Sequence, residues 1–271
     1  MCSPEVVRSV AADALDAGPA PASGGTPWDD APALAVPPEA LARLRRVRDL
    51  THTLTPDFPV FPGYPPFRAR SLATVEENGY ASAELRFVEH AGTHLDAPAH
   101  FAAGGATADA LPAASLVAPL VVVSVAERAA RDPDAAVSVD DLLAWERRHG
   151  RIPRGAVVAM HSGWEARLAE PGRFLNADAA GTLHSPGWGA EAARFLVEER
   201  DVAGAASDTL SLDVGASTGY EAHRVFLPAG KYGLENVASL GRVPPSGAVL
   251  VVGGPRHVGA TGGPARLLAL F

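Results

Sequence analysis

A chain of 271 residues, 47% hydrophobic, is long enough to bury one large core or two small ones. It carries 23 Lys+Arg against 31 Asp+Glu, a formal net charge of −8, and no basic block, so nucleic acid is not an expected partner. The single cysteine, Cys2, excludes an intrachain disulfide framework and Cys-rich zinc sites.

Residues 1–16 read as a short amphipathic helix. They carry Glu5, Arg8, Asp13 and Asp16 and lack the apolar stretch of a secretory signal. No segment approaches the roughly 18 apolar residues of a membrane span. A soluble cytoplasmic protein with no membrane partner is expected. Residues 17–38 are rich in Pro, Ala, Gly and Ser. They read as a linker, either a tail without fixed structure or an arm packed on its own domain or a neighbouring subunit. The main domain is expected over 39–271, opening with a lead-in helix at 39–46.

From residue 47 onward, short apolar runs separated by turns predict strands. These fall at 48–54, 82–88, 120–125, 156–160, 202–207, 248–252 and 265–270, with a Pro-rich loop at 56–66. Helices are expected at 139–148, with Ser138 as N-cap, and at 189–199. Strands and helices mix without strict alternation, which predicts an α/β fold with a mixed sheet or barrel flanked by helices.

Residues 90–101 read His-Ala-Gly-Thr-His-Leu-Asp-Ala-Pro-Ala-His-Phe. His90, His94, Asp96 and His100 are all ligand-type side chains, suited to a divalent transition metal such as Zn or Mn. Gly92 and Pro98 argue against a helix here. In an extended segment His90, His94 and Asp96 would point to one side and leave an open coordination position. His100, past the proline turn, would approach the same cavity from another angle. A lone histidine is more often a surface or satisfied core residue. It is the density of metal-compatible groups that favours a site.

The pattern at 90–101 resembles that of the cyclase/kynurenine formamidase family of metal-dependent hydrolases, which includes isatin hydrolases. Asp49 to Leu54, Phe61 to Phe67, Ser207 to Asp213 and Gly259 to Arg266 resemble further family segments, so the likeness runs over about 47–271. It implies a swivelling β/β/α-type domain, a homo-oligomer and a second ligand cluster. Carried over residue by residue, His90, His94 and Asp96 would hold one metal. Asp96, His223 and Glu235 would hold a second, Asp96 bridging, so that one or two ions bind per chain. His100 would be the acid/base residue. Read without the resemblance, Glu235 is a helix-surface carboxylate.

The chemistry implied is hydrolysis of an amide, lactam or related carbonyl bond in a small cyclic or aromatic molecule. A bound divalent ion lowers the pKa of water from about 15.7 toward 7, and His100 would take and return the proton. Lactone hydrolysis and a cyclisation or dehydration use the same groups. A metal-binding scaffold without turnover is the alternative of another class, and an unligated His100 argues against it. Phe61, Tyr64 and Trp164 are candidates for an aromatic wall, or else core residues. His161 follows a buried strand and is a further cavity candidate. His52 reads as structural, and His149, His184 and His257 as surface or loop residues.

Overall fold

The computed structural model describes residues 36, 41–42, 44–254 and 256–271. The helix expected at 1–16 and the arm lie outside the described residues, apart from Val36. Of the lead-in segment, residues 44–46 are irregular. The amides of Arg45 and Arg46 donate to the carbonyl of Phe271 at 3.1 and 2.7 Å.

The strands are β1 (Val47–Asp49), β2 (Arg68–Ala73), β3 (Ser82–Arg86), β4 (His94–Asp96), β5 (Val117–Ser124), β6 (Ala136–Val137), β7 (Val157–His161), β8 (Gly187–Trp188), β9 (Gly204–Ser207), β10 (Tyr232–Glu235), β11 (Ala248–Gly253), β12 (Gly262–Pro264) and β13 (Arg266–Leu270). A nine-stranded sheet runs in the order β1-β13-β11-β5-β7-β9-β10-β4-β12. Its middle strands β5, β7, β9 and β10 are parallel. Antiparallel strands extend it on both sides.

Each step between parallel neighbours crosses over through a helix, as parallel pairing requires. These helices are α1 (Val139–His149), α2 (Ala190–Glu198) and α3 (Glu221–Phe226). Helix α1 starts where the sequence places it. Ser138 and Asp141 form a reciprocal capping box, with Asp140 and Asp141 in the first turn and Arg147, Arg148 and His149 in the last, matching the helix dipole.

The sheet must curl. Strand β12 is one edge and β13 lies next to the other edge, yet only Ala265 separates them in sequence. One residue spans at most about 3.6 Å, so the two ends of the sheet approach each other. A bridge between Thr51 and Val237 also ties these regions. The result is the expected α/β fold with a mixed, barrel-like sheet.

Side chains alternate across the strands and divide the core in two. Leu120, Val122, Val157, Ala159 and Leu234 fill the inside of the curl. Val121, Val123, Val158 and Met160 face outward under Leu142 and Trp145 of α1, Leu196 of α2 and Phe226 of α3. Among the described residues no helix is long and apolar enough to cross a membrane.

Several expectations need correction. The strand predicted at 48–54 ends at Asp49, because Leu50 donates to Leu267 while Thr51 turns to Val237. Strand β3 ends at Arg86 and pairs with β2 in a separate two-stranded ribbon. Strand β2 escapes periodicity because Arg68, Ala69, Arg70 and Ser71 are all exposed, which leaves no apolar alternation. Strands β10 and β12 escape it because glycine and proline mask short buried strands.

Candidate metal centre

The site sits on the helical face of the sheet, where β4 meets β10. Antiparallel pairing sets Glu235 opposite His94 and Gly233 opposite Asp96, while Gly262 of β12 faces Asp96 from the other side. Asp96 therefore lies between two glycines, and neither could carry a side chain. A Cβ on Gly233 would lie 2.8 Å from Asp96 Oδ2, and one on Gly262 would lie 2.7 Å from the His90 ring.

His94, Asp96, His223 and Glu235 are all buried. Helix α3 brings in His223, whose Nε2 lies 3.1 Å from Glu235 Oε1 and 3.7 Å from Asp96 Oδ2. His94 Nε2 lies 3.3 Å from both Asp96 Oδ1 and Glu235 Oε2. His90 does not share a strand with His94 and Asp96, so the expected one-sided array of three holds for two. The chain bends at Gly92, φ 66°, and His90 enters from outside β4, its Nδ1 2.7 Å from Asp96 Oδ1. Glu235 is a buried strand residue rather than a helix-surface carboxylate.

Each imidazole is tethered through one nitrogen and turns the other toward the carboxylates. His94 Nδ1 donates to the Gly92 carbonyl at 2.9 Å. His223 Nδ1 donates to Asp213 at 2.5 Å. Asp213 is oriented in turn by the amide of Ala222 at 2.6 Å. His90 Nε2 lies 3.1 Å from Thr261 Oγ1, which donates onward to Glu89. Such outer partners hold the ring and tautomer of metal-ligating histidines.

The donor set fits a divalent cation. His94, Asp96 and Glu235 bring ligand atoms within 4.8 Å of one another, as do His90, Asp96 and His100. Among the described residues His94 Nε2 and Asp96 Oδ2 are buried without a hydrogen-bond partner, a costly arrangement unless a ligand satisfies them. The electrostatics agree. Burial opposes a charge on His94, yet Asp96 and Glu235 outweigh it and raise its pKa to about 10. Burial likewise opposes charge on His223, and Asp213, Asp96 and Glu235 hold it well above the ordinary range. Burial opposes ionisation of Asp96 too, but His94 and its neighbours keep it well below the ordinary range. The pocket draws positive charge, which a metal ion can supply in place of protons.

His100 ends the 3₁₀ turn Pro98–His100, and its ring stacks on His90 with centroids 3.9 Å apart. Burial lowers its pKa to about 4, against the pull of Asp96. Above the cluster lies a cavity of about 160 Å³, lined by His90, His100, His223 and Glu235 together with Phe61, Tyr64, Phe101, Leu210 and Tyr220. Its position beyond the carboxyl ends of β9 and β10 is the usual one for ligand sites in parallel sheets.

Two expected cavity residues lie elsewhere. Trp164 is buried with Phe174 and Leu210, its indole N–H donating to Phe174, one layer behind the wall. His161 faces Ser124 at 3.0 Å and Gly241. Sequence reasoning missed Phe101, Leu210, Tyr220, Asp213 and the two glycines. Phe101 and Asp213 stood within segments already singled out, but Tyr220 carried no signal. Its backbone is left-handed at φ 52°, which is uncommon for an aromatic residue.

The Cyclase family model matches residues 48–214, more than half of the chain. The chain is 33% identical over 243 residues to the isatin hydrolase of Roseibium aggregatum, covering 83% of this chain and 91% of that protein. It is 27% identical over 229 residues to the kynurenine formamidase of Sphingopyxis alaskensis, covering 83% and 98%. The crystal structure of an isatin hydrolase bound to the product analogue thioisatinate matches with a TM-score of 0.79 at 31% identity, over 83% of this chain and 92% of that one. Family model and relatives agree, and the chain belongs to the Cyclase family.

Proposed function

We propose that this chain hydrolyses a carbonyl–nitrogen bond in a small, flat, cyclic or aromatic molecule, in the manner of its isatin hydrolase relatives. The observation that carries the reading is the buried cluster of imidazoles and carboxylates opening into an aromatic cavity. His90, His94 and Asp96 would hold a divalent ion, Zn or Mn, with a second place at Asp96, His223 and Glu235. When bound, such an ion polarises a carbonyl and lowers the pKa of water.

The chain's own residues supply the rest. Phe61, Tyr64, Phe101 and Tyr220 offer flat apolar surface to a ring and exclude bulk water. With its pKa lowered to about 4, the His100 imidazole is neutral at pH 7 and can accept a proton. The water oxygen bonds to the carbonyl carbon and the carbon–nitrogen bond breaks. The proton passes from water to His100 and then to the leaving nitrogen. The second proton of the water leaves the new carboxyl group to solvent, so the products are a carboxylate, a free amine and one proton, the carboxylate and amine staying in one molecule where the amide is cyclic.

The same reading includes a swivelling β/β/α fold, supported by the curled sheet with helices on one face. It takes the domain as 39–271, supported by the hydrogen bonds that join Arg45 and Arg46 to Phe271. A homo-oligomer and a cytoplasmic setting complete it, the latter in keeping with a single cysteine. The test is turnover of isatin, N-formylkynurenine and small lactones by protein reconstituted with Mn²⁺ or Zn²⁺. Opening of the lactam or formamide is expected. Turnover of lactones alone would replace amide hydrolysis with the lactonase alternative, and no turnover with metal bound would favour a scaffold.

A further inference from the structure

The residue after Glu235 is held in an unusual way. Asn236 is buried, 1% exposed, in the left-handed region at φ 52°. Among the described residues its side-chain Oδ1 has no hydrogen-bond partner. A left-handed non-glycine backbone and a buried unpartnered oxygen are both unfavourable, and they persist only where the surroundings dictate them. What the residue supplies in return is one donor: its Nδ2 gives a hydrogen bond of 3.0 Å to the carbonyl of Gly92.

That carbonyl is the group that receives His94 Nδ1–H at 2.9 Å. Its two lone pairs are thus taken by Asn236 and His94. Gly92 itself is left-handed at φ 66°, so the peptide could otherwise turn at little cost. The Asn236 backbone adds a second hold, since its carbonyl accepts from Thr93 Oγ1 at 2.6 Å. Asn236 therefore grips both residues that precede His94, while standing next to Glu235 in sequence.

We infer that Asn236 is a positioning residue for the metal centre. By pinning the Gly92 carbonyl it commits His94 to the tautomer and ring angle that present Nε2 to Asp96 and Glu235. This rests on the assignment of His94 as a ligand in the function proposed above. It adds that ligand orientation is set from β10, by the neighbour of another ligand, so that the two strands deliver their donors in register.

The test is titration of metal-free protein with Mn²⁺ alone, followed by calorimetry, together with thermal melting of each metal-free protein. Asn236→Asp keeps the size and a residue tolerant of left-handed backbone, but sets an acceptor against the Gly92 carbonyl. Asn236→Gly takes the positive φ without strain and removes the amide, so it serves if the buried carboxylate prevents folding. Both variants should bind Mn²⁺ about 10- to 100-fold more weakly, the scale for outer partners of metal-bound histidine, while Asn236→Gly keeps a cooperative melt. Equal affinity in wild type and variants would overturn the inference alone. Weak binding by the Gly variant with normal binding by the Asp variant would also overturn it, because volume and not the donor would then matter. A wild-type protein that binds no Mn²⁺ would remove the underlying assignment as well.

Discussion

The helical face of one sheet is used in two opposite ways. Over β5 and β7 it presents Val121, Val123, Val158 and Met160 to α1 and α2, and the packing is apolar apart from the Trp145 indole N–H, which donates to the Val122 carbonyl. Over β4 and β10 it presents His94, Asp96, Gly233 and Glu235 to α3, and the packing is ionic. The first region gains from burial at roughly 25 cal/mol per Å² of apolar area. The second gathers charges that cost free energy to desolvate and leaves polar atoms without a partner among the described residues. It can do so because the first region holds the sheet that both share. Stability and chemistry are thus separated along the sheet rather than between its faces, and substitutions should separate them too.

The largest effect is expected at Asp96, which both proposed metal positions share and which also belongs to both close groups of ligand atoms. Asp96→Ala should abolish metal binding, as elemental analysis after reconstitution would read. His223→Ala should lose less, because it touches only one of the two proposed positions. Equal loss in the two variants would break the bridging assignment.

In the apolar region, Leu142 is fully buried. Leu142→Ala should cost about 2–5 kcal/mol of unfolding free energy, measured by urea denaturation. The folded variant should still take up metal in the wild-type ratio. A loss of metal stoichiometry in folded protein would show that the two regions are not separable.

His100→Ala should lower turnover about 10²-fold, the scale of an acid/base residue, with metal content unchanged. His100 lies as close to His90 and Asp96 as a ligand would, so metal content is the informative readout. If metal and activity fall together, His100 is a ligand.

The smallest effect is a pH dependence in the frame around α1. Glu146 pairs with Arg200 through contacts of 2.7 and 2.9 Å, and this guanidinium lowers its pKa from 4.5, against burial. A carboxylate with a lowered folded pKa stabilises fully above its unfolded value. That contribution is lost as pH falls through the folded pKa. The ion-pair share should be about 1 kcal/mol or less for a partly solvated pair. Urea midpoints should therefore drop from pH 7 to pH 3 in the wild type, and by less in Glu146→Gln. An unchanged drop would assign the acid sensitivity elsewhere.

What the sequence determined by itself was whatever depends on near neighbours. Ser138 and Asp141 mark the start of α1 because a capping box closes within four residues. The runs at 120–125 and 156–160 are apolar on both faces, as buried parallel strands are, and both are strands. The motif at 90–101 marked a candidate metal site because its ligand types crowd one short segment. Resemblance, rather than pattern, supplied His223 and Glu235, since neither differs locally from a surface residue.

The tertiary structure alone decided the rest. It brings His223 and Glu235 to Asp96 from helix and strand, and sets glycines beside Asp96 from β10 and β12. It moves Trp164 behind the wall and brings Tyr220 to the cavity in a left-handed turn. A short strand such as β12, whose Gly-Gly-Pro residues read locally as a turn, exists only because the curl of the sheet lays it against β4. Pairing across more than a hundred residues is fixed by closure of the whole sheet, and no local periodicity records it.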